Sequence, residues 1–230
     1  MDSIRAIAKK NNIPVIEDAA HSLGASYNGN NIGNISEFTI FSFQAIKHLT
    51  TGDGGMLVIS DPNLKKKASR LRWFGIDRED KQRGIWENDI REIGYKYQMT
   101  DLGAALGLAG LEELPGTLKH RRSLFSRYIK NLKNYSGVQI VGEDDPKKVH
   151  AAWLFTILVE RRLALQSKLR MHGIESGQTH YRNDRYSIFN SKSTFCNMDK
   201  VEDNYLILPL HTKMTIKDVD KICDVIKSGW

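Results

Sequence analysis

The sequence FSFQAIKHLTTGDGG, residues 41–55, carries one lysine between two short apolar segments that predict strands. The first segment ends near Ser42, Lys47 follows five residues after that serine, and the second segment is Met56–Ile59. Most lysines are solvated surface charges and need no such setting. Burial lowers the pKa of a lysine and makes its neutral amine available as a nucleophile. The stretch therefore predicts a lysine that bonds covalently to a cofactor.

A second candidate group lies upstream, in the sequence IPVIEDAAH, residues 13–21. Ile13–Ile16 is continuously apolar and predicts a strand buried on both faces of a parallel sheet. Asp18 lies at the carboxyl end of that strand, where open α/β sheets bind ligands, and His21 follows three residues later. By residue type alone, Asp18 is more typical of a helix cap or loop salt bridge, and His21 of a core or rim histidine.

Lys47, Asp18 and Ser42 together match the chemical needs of pyridoxal phosphate (PLP). This cofactor requires a lysine for its aldehyde, a carboxylate that keeps its pyridine nitrogen protonated, and donors for its phosphate. The three residues supply one group of each kind from strand ends or loops of a single α/β segment. Ser42 alone is typical of a polar residue at the end of a strand, so the prediction of a PLP site depends on all three residues together.

The amino-terminal half of the chain predicts alternating helices and strands. Its predicted elements are a helix at residues 1–12, a hairpin at 26–34, strands at 37–43 and 54–60, a helix at 61–73 and a polar loop at 75–89. A further helix begins at Thr100 or Asp101, and its apolar side is formed by Leu102, Ala105, Leu106 and Leu108.

Pro115 is predicted to interrupt this helix before a second helix runs to about Leu132. We place a domain boundary at this proline, between residues 1–114 and 115–230. The second domain is a smaller α+β unit, with predicted strands at 152–159 and 177–181 and predicted helices at 163–172 and 215–228.

The composition is that of an ordinary globular protein, with 230 residues, 40% hydrophobic and 27% charged. The net charge of +7 is spread along the chain without a long basic tract, which argues against a nucleic-acid groove but suits a phosphorylated substrate. No apolar run is long enough to cross a membrane, and the expected location is the cytoplasm. Cys196 and Cys223 have no metal-binding spacing with the histidines, so no metal is expected.

The order and spacing of several motifs resemble the DegT/DnrJ/EryC1/StrS family of PLP-dependent sugar aminotransferases. These motifs are EDAAHSLGA, the FSF with its lysine, TTGDGG, GYKYQMTDLGAALGLAGLE, HAAWLFTILV, GIESGQTHY and LPLHTKMT, and they extend over essentially the whole chain. The resemblance implies an α/β protein with PLP-dependent transferase fold type I, as in aspartate aminotransferase.

The resemblance also implies roles for individual residues. Lys47 would bond to the cofactor and later move a proton between it and the substrate carbon. Asp18 would pair with the pyridinium nitrogen, and His21 would lie near the phenolic oxygen of the ring. Ser42, together with Gln44, would bind the phosphate. A related branch of dehydratases carries histidine at the lysine position, so Lys47 favours amino transfer.

Two positions depart from the family pattern. Lys96 stands where the family has an asparagine that reaches the phosphate bound by the neighbouring subunit; a lysine could serve the same anion, or could be a surface charge. Asp53 replaces the usual glutamate of the glycine turn. Family members also carry a long segment before the motif at which this chain begins. Residues 1–114 would then be the carboxyl-terminal portion of the large PLP-binding domain, and we expect poor stability or association with another chain.

The leading hypothesis is an enzyme that moves an amino group from glutamate to a keto group of a nucleotide-linked deoxysugar, for cell-surface polysaccharide such as O-antigen, or for glycosides. His180, Tyr181 and Arg182 are candidate substrate contacts, with ordinary loop polarity as the alternative. The expected partner is a second copy or a complementing amino-terminal chain. The competing hypotheses are an inactive remnant, half of a split enzyme, and a nucleic-acid-binding domain suggested only by net charge.

Overall fold

The computed structural model describes residues 1–87, 89–142, 145–191 and 193–230. The chain divides into two compact units, residues 1–115 with 147–151, and residues 116–146 with 152–230. Its elements in chain order are α1 (Asp2–Lys10), β1 (Ile16–Asp18), β2 (Ser26–Tyr27), β3 (Asn30–Asn31), β4 (Phe38–Ser42), β5 (Gly55–Ile59), α2 (Pro62–Leu71), α3 (Arg78–Gln82), α4 (Asp101–Leu132), β6 (Val138–Ile140), β7 (Lys148–Val149), β8 (Phe155–Val159), α5 (Arg162–Met171), two 3-10 turns (Asn183–Arg185 and Ser187–Phe189), α6 (Cys196–Val201), β9 (Tyr205–Leu208) and α7 (Ile216–Lys227).

The first unit is organised on a three-stranded sheet in the order β1-β4-β5. β1 runs parallel to β4, and β5 is antiparallel to β4. The predicted strand at Ile13–Ile16 is wrong in position and burial, because β1 begins at Ile16 and both Ile13 and Ile16 are exposed. The apolar run predicted a strand with other parts of the protein packed on both sheet faces. In the structure, the buried cluster of Ala19, Phe41 and their neighbours packs on one face.

The smaller elements of this unit follow from local signals. The predicted hairpin is confirmed as β2 and β3, and β7 pairs with β2 on its other side. Asp61 caps α2 by accepting a hydrogen bond from the Asn63 amide. The predicted loop at 75–89 contains a short helix, α3, and its residue 88 lies outside the described residues.

The helix α4 corrects two predictions. Pro115 does not interrupt it, because the 32-residue helix runs from Asp101 to Leu132 with the proline inside it. The proposed apolar side is also wrong: Leu102 is 87% exposed, and Leu106 and Leu108 are exposed as well. The inward stripe is made of glycines instead, since a Cβ at Gly107 would lie 2.9 Å from Cγ2 of Thr51.

The second unit has an antiparallel sheet in the order β6-β8-β9 and the larger core. Leu124, Tyr128 and Leu132 of α4 join that core, where the Tyr128 hydroxyl donates a 2.9 Å hydrogen bond to the Pro209 carbonyl. The predicted strand at 177–181 is reduced to a single bridge at Gly177.

The second unit also holds a buried cation. Arg121 donates hydrogen bonds to the carbonyls of Ala152, Trp153 and Leu210, and burial lowers the pKa of its guanidinium. Three carbonyls therefore replace the water that the charged group loses on burial.

Candidate active site

Lys47 lies in a closed loop that begins where β4 ends. The backbone of Phe43 closes the loop: its carbonyl accepts from the Thr51 amide at 2.9 Å and from the Thr50 hydroxyl at 3.1 Å. Its amide donates to the Gly54 carbonyl at 2.9 Å. The Lys47 amide donates to the Gln44 carbonyl at 2.9 Å, which forms the turn that carries the lysine.

The Lys47 side chain is half-buried, and this burial lowers its pKa from the ordinary lysine value. The negative charge of Asp18 acts in the opposite direction and raises the pKa. Burial is the larger effect, so the neutral amine is more populated than on a solvated lysine. The electrostatic coupling also indicates that Asp18 and Lys47 lie in the same part of the first unit.

Asp18 and Ser42 share one face of the sheet. Asp18 pairs in register with Ile40, and Ser42 lies two residues further along β4, so their side chains leave the sheet on the same side. Both residues are at the carboxyl ends of the parallel strands β1 and β4. This edge is where open α/β sheets bind ligands.

The other residues of this unit that were predicted to contact the cofactor are exposed. His21 is exposed in the turn after β1 and lines a pocket of about 220 Å³ with Tyr27 and Val149. Gln44 is exposed, and its side-chain oxygen accepts from the Ile46 amide at 3.1 Å. Lys96 is exposed on a segment bridged to Trp73. Cofactor contacts for these residues stay predictions.

Two threonines and a glycine that follow Lys47 support its loop, and the hydrogen bonds of the threonines were not predicted. The Thr51 hydroxyl donates to the Asp53 carbonyl at 2.7 Å, and the Thr50 hydroxyl accepts from the Gly52 amide at 2.9 Å. Gly55 allows close contact with β4, because a Cβ there would lie 2.6 Å from the Phe41 carbonyl oxygen. The paired threonines and the turn glycines were the available signal.

The glycines of α4 pack against the loop that carries Lys47. A Cβ at Gly103 would lie 3.5 Å from the Thr51 carbonyl oxygen, and one at Gly110 would lie 3.4 Å from Cγ of Leu49. Because glycine has no side chain, the helix backbone approaches the lysine loop closely. The glycine spacing at 103, 107 and 110 was the signal for this contact.

In the second unit, the Arg182 side chain already has partners, which argues against the predicted contact with a diphosphate. Its side chain is 5% exposed, and its guanidinium is already bound by three carboxylates. It donates two hydrogen bonds to Asp184, at 2.9 and 2.6 Å, and further ones to Asp199 at 2.5 Å and Glu202 at 3.0 Å. A substrate diphosphate would have to compete with all three, so Arg182 holds the loop instead.

Tyr181 remains exposed, and its ring packs edge-on against Tyr186. The His180 carbonyl accepts a 2.6 Å hydrogen bond from the Tyr205 hydroxyl. The backbone of this segment is therefore fixed while the Tyr181 ring faces solvent. Substrate contact by His180 and Tyr181 stays a prediction.

The residues of the first unit fit PLP. Lys47 offers an amine with a lowered pKa, Asp18 a carboxylate coupled to it, and Ser42 a hydroxyl on the same face as Asp18. The family model described as the DegT/DnrJ/EryC1/StrS aminotransferase family matches residues 1–227. The chain belongs to this family. DegT family aminotransferases use PLP.

Individual relatives agree with the family match. The chain is 30% identical to the UDP-4-amino-4,6-dideoxy-N-acetyl-beta-L-altrosamine transaminase of Campylobacter jejuni, over 99% of this chain and 61% of that protein. It is 30% identical to the sugar aminotransferase CalS13 from Micromonospora echinospora, with a TM-score of 0.92 over 100% of this chain and 63% of that chain. Spr1654 from Streptococcus pneumoniae, solved in its PLP form, matches with 29% identity and a TM-score of 0.79 over 96% of this chain and 59% of that chain.

The DegT family match shows the fold class: the solved relatives have PLP-dependent transferase fold type I, and the chain spans about three fifths of their length. None of the helices among the described residues is both long and apolar enough to span a membrane.

Proposed function

We propose that the chain is the lysine-bearing part of a PLP-dependent aminotransferase that moves an amino group from glutamate to a keto group of a nucleotide-linked deoxysugar. The observation that carries this proposal is the half-buried Lys47, with its lowered pKa and its coupling to Asp18, at the ligand-binding edge of the sheet. The family match over residues 1–227 supports it.

The residues of this chain would each have a separate role in the reaction. When bound, PLP supplies an electron sink that makes the amino-bearing carbon of a substrate acidic. Lys47 would hold the cofactor, and its released amine would then move a proton between that carbon and the cofactor. The Asp18 carboxylate keeps the ring nitrogen protonated. The Ser42 hydroxyl, with Gln44, donates to the phosphate, and His21 borders the ring.

The relatives support the proposed substrate class. A UDP-sugar transaminase at 30% identity supports a nucleotide-linked sugar as the amino acceptor. The exposed segment with His180 and Tyr181 would contact the sugar nucleotide, and Lys96 would contact a phosphate. The reaction takes place in the cytoplasm, in a homodimer or with a complementing chain. Its product supplies cell-surface polysaccharide, such as O-antigen, or a glycoside.

A second candidate is an inactive remnant, or one half of a split aminotransferase. The chain spans 61% of the Campylobacter transaminase and 63% of CalS13. Lys47, Asp18 and Ser42 are present under either reading and do not separate the two.

The proposal is tested by 2-oxoglutarate formation from glutamate, with PLP and a nucleotide-linked 4-keto-6-deoxysugar present. The expected result is product that depends on both glutamate and the sugar, that is abolished in Lys47→Ala, and that is retained in Lys66→Ala, an exposed lysine of α2. Equal rates in the wild type and Lys47→Ala would refute the assignment. Absence of product in the wild type would favour the remnant or split-enzyme reading.

A further inference from the structure

The loop that carries Lys47 has a buried base and an exposed tip. Phe43, directly after β4, and Leu49, on the returning limb of the loop, are both buried in the core cluster of the first unit. Between them, residues 44–46 are exposed, and Lys47 is half-buried on the returning limb. Because the tip lies in solvent, the position of Lys47 depends on how the two limbs are joined at the base.

The Thr50 hydroxyl joins the two limbs of this loop. It donates to the Phe43 carbonyl at 3.1 Å, seven residues back along the chain, and it accepts from the Gly52 amide at 2.9 Å. The Thr51 hydroxyl, in contrast, donates to the Asp53 carbonyl within the turn that follows. The side chain of Thr50 therefore links the end of β4 to the glycine turn.

The turn on the far side of this link is built from flexible residues. Gly52 and Gly54 have φ angles of 80° and 138°, a region that glycine adopts far more readily than other residues. The Phe43 backbone also bonds to this part of the chain, at the Thr51 amide and at the Gly54 carbonyl. The second of these bonds ends inside the flexible turn, so it depends on a fixed Gly52 beside it. The Thr50 hydroxyl fixes that residue.

We infer that Thr50 is a positioning residue for Lys47: its hydroxyl bridge, the pair of hydrogen bonds to Phe43 and Gly52, keeps the loop closed and holds the lysine amine half-buried at the ligand-binding edge of the sheet. The lowered pKa of the Lys47 amine agrees with this role, because burial is its largest cause. Opening the loop would hydrate the amine and raise its pKa toward the ordinary lysine value. That the held amine serves a cofactor rests on the proposed function, whereas the closure of the loop does not.

Three variants separate the bridge from the rest of the loop. Thr50→Val removes the hydroxyl with little change in side-chain shape, and Thr50→Ser keeps it. Thr39→Val is the matched control in β4, because the Thr39 hydroxyl is buried and has no hydrogen-bond partner among the described residues. Asp18, whose charge raises the lysine pKa, and the titratable His48 and Asp53 of the loop are the same in all three variants.

The test labels the full chain without PLP, using trace acetic anhydride across a pH series, and maps the acetylated peptides. The midpoint of labelling gives the pKa of each amine, because only the neutral amine is a nucleophile. The wild-type midpoint for Lys47 should lie below that of the exposed Lys66. Thr50→Val should raise the Lys47 midpoint by about half a pKa unit, so that about 3-fold less of the amine is neutral at pH 8. Thr50→Ser and Thr39→Val should keep the wild-type midpoint.

A Lys47 midpoint that Thr50→Val leaves unchanged overturns the inference, and so does an equal rise in Thr39→Val. If Thr50→Val does not fold, hydrogen exchange in the wild-type chain decides. The Gly52 amide should then exchange about 10-fold more slowly than in an unstructured peptide, because it is bonded to the Thr50 hydroxyl. Exchange at the unstructured rate would show that the bridge does not form.

Borohydride trapping of PLP separates this inference from the proposed function. Thr50→Val should trap PLP on Lys47 about 3-fold more slowly than the wild type at pH 8, and Thr50→Ser should restore the rate. Equal trapping in the wild type and Thr50→Val, despite a raised midpoint, overturns the role of Thr50 toward the cofactor. A raised midpoint with no PLP trapped on Lys47 in any of these proteins leaves the closure of the loop intact and refutes the proposed function.

Discussion

Replacing Gly107 with alanine should destabilise the protein, although alanine is the better helix former. Gly107 lies inside α4, where the exchange gains about 1 kcal/mol in helix propensity. The added Cβ would lie 2.9 Å from Cγ2 of Thr51, which is buried and β-branched and so has little room to move. Forcing such a contact costs about 1–3 kcal/mol, so the net loss in unfolding free energy is about 0–2 kcal/mol.

Gly110→Ala is the matched control in the same helix and the same unit. Its Cβ would lie 3.4 Å from Cγ of Leu49, an ordinary contact, so this variant should gain about 1 kcal/mol. Urea unfolding of both variants, followed by circular dichroism, should therefore separate their unfolding free energies by about 1–3 kcal/mol.

Thr51→Ser provides a rescue. It removes Cγ2 and retains the hydroxyl that donates to the Asp53 carbonyl. In the Gly107→Ala background it should recover about 1 kcal/mol relative to its effect in the wild type, as a double-mutant cycle would measure. Equal stability of the two alanine variants, or a cycle with no coupling, would refute the close packing of α4 on the lysine loop.

Three further predictions concern the second unit. Tyr128→Phe leaves the Pro209 carbonyl without its donor and should lower the unfolding free energy by about 1 kcal/mol, measured by urea unfolding. Arg127 lowers the pKa of the Asp220 carboxyl to about 2, so the stability that this pair contributes is complete above about pH 4 and is lost as the pH falls toward 2. Asp220→Asn should therefore flatten the dependence of the unfolding free energy on pH in that window. An unchanged dependence would contradict this pairing. Arg182→Met leaves Asp184 and Asp199 without the Arg182 guanidinium and Glu202 with Arg185 as its cation, and it should speed hydrogen exchange across residues 178–190. Unchanged exchange would rule out a role of Arg182 in holding the loop.

Local spacing predicted the lysine loop well. Ser42 ends β4, Lys47 lies in the following turn, and the second strand begins after the glycines, as the sequence indicated. These features depend on neighbouring residues, because a short strand and a glycine turn are specified within about ten positions. The same locality explains why the caps at Asp61 and Thr215 match helix starts expected from the sequence.

Burial was harder to predict, because it depends on which surface another part of the fold covers. The leucines of α4 have helical spacing, but spacing does not say whether the leucine side or the glycine side meets the core. Ile13–Ile16 shows the same difficulty, since its apolar run indicates burial that this chain does not supply. Arg182 is bound by carboxylates up to 20 residues away, which no local pattern reveals.

The most direct test of the role of Lys47 is to trap PLP on the chain with borohydride and map the labelled peptide, beside Lys47→Ala. We expect a near-visible absorption band in the wild type that is absent from the variant, with the reduced label on the peptide that carries Lys47. Label distributed over the exposed lysines, to the same extent in both proteins, would contradict the claim that Lys47 is built to hold the cofactor.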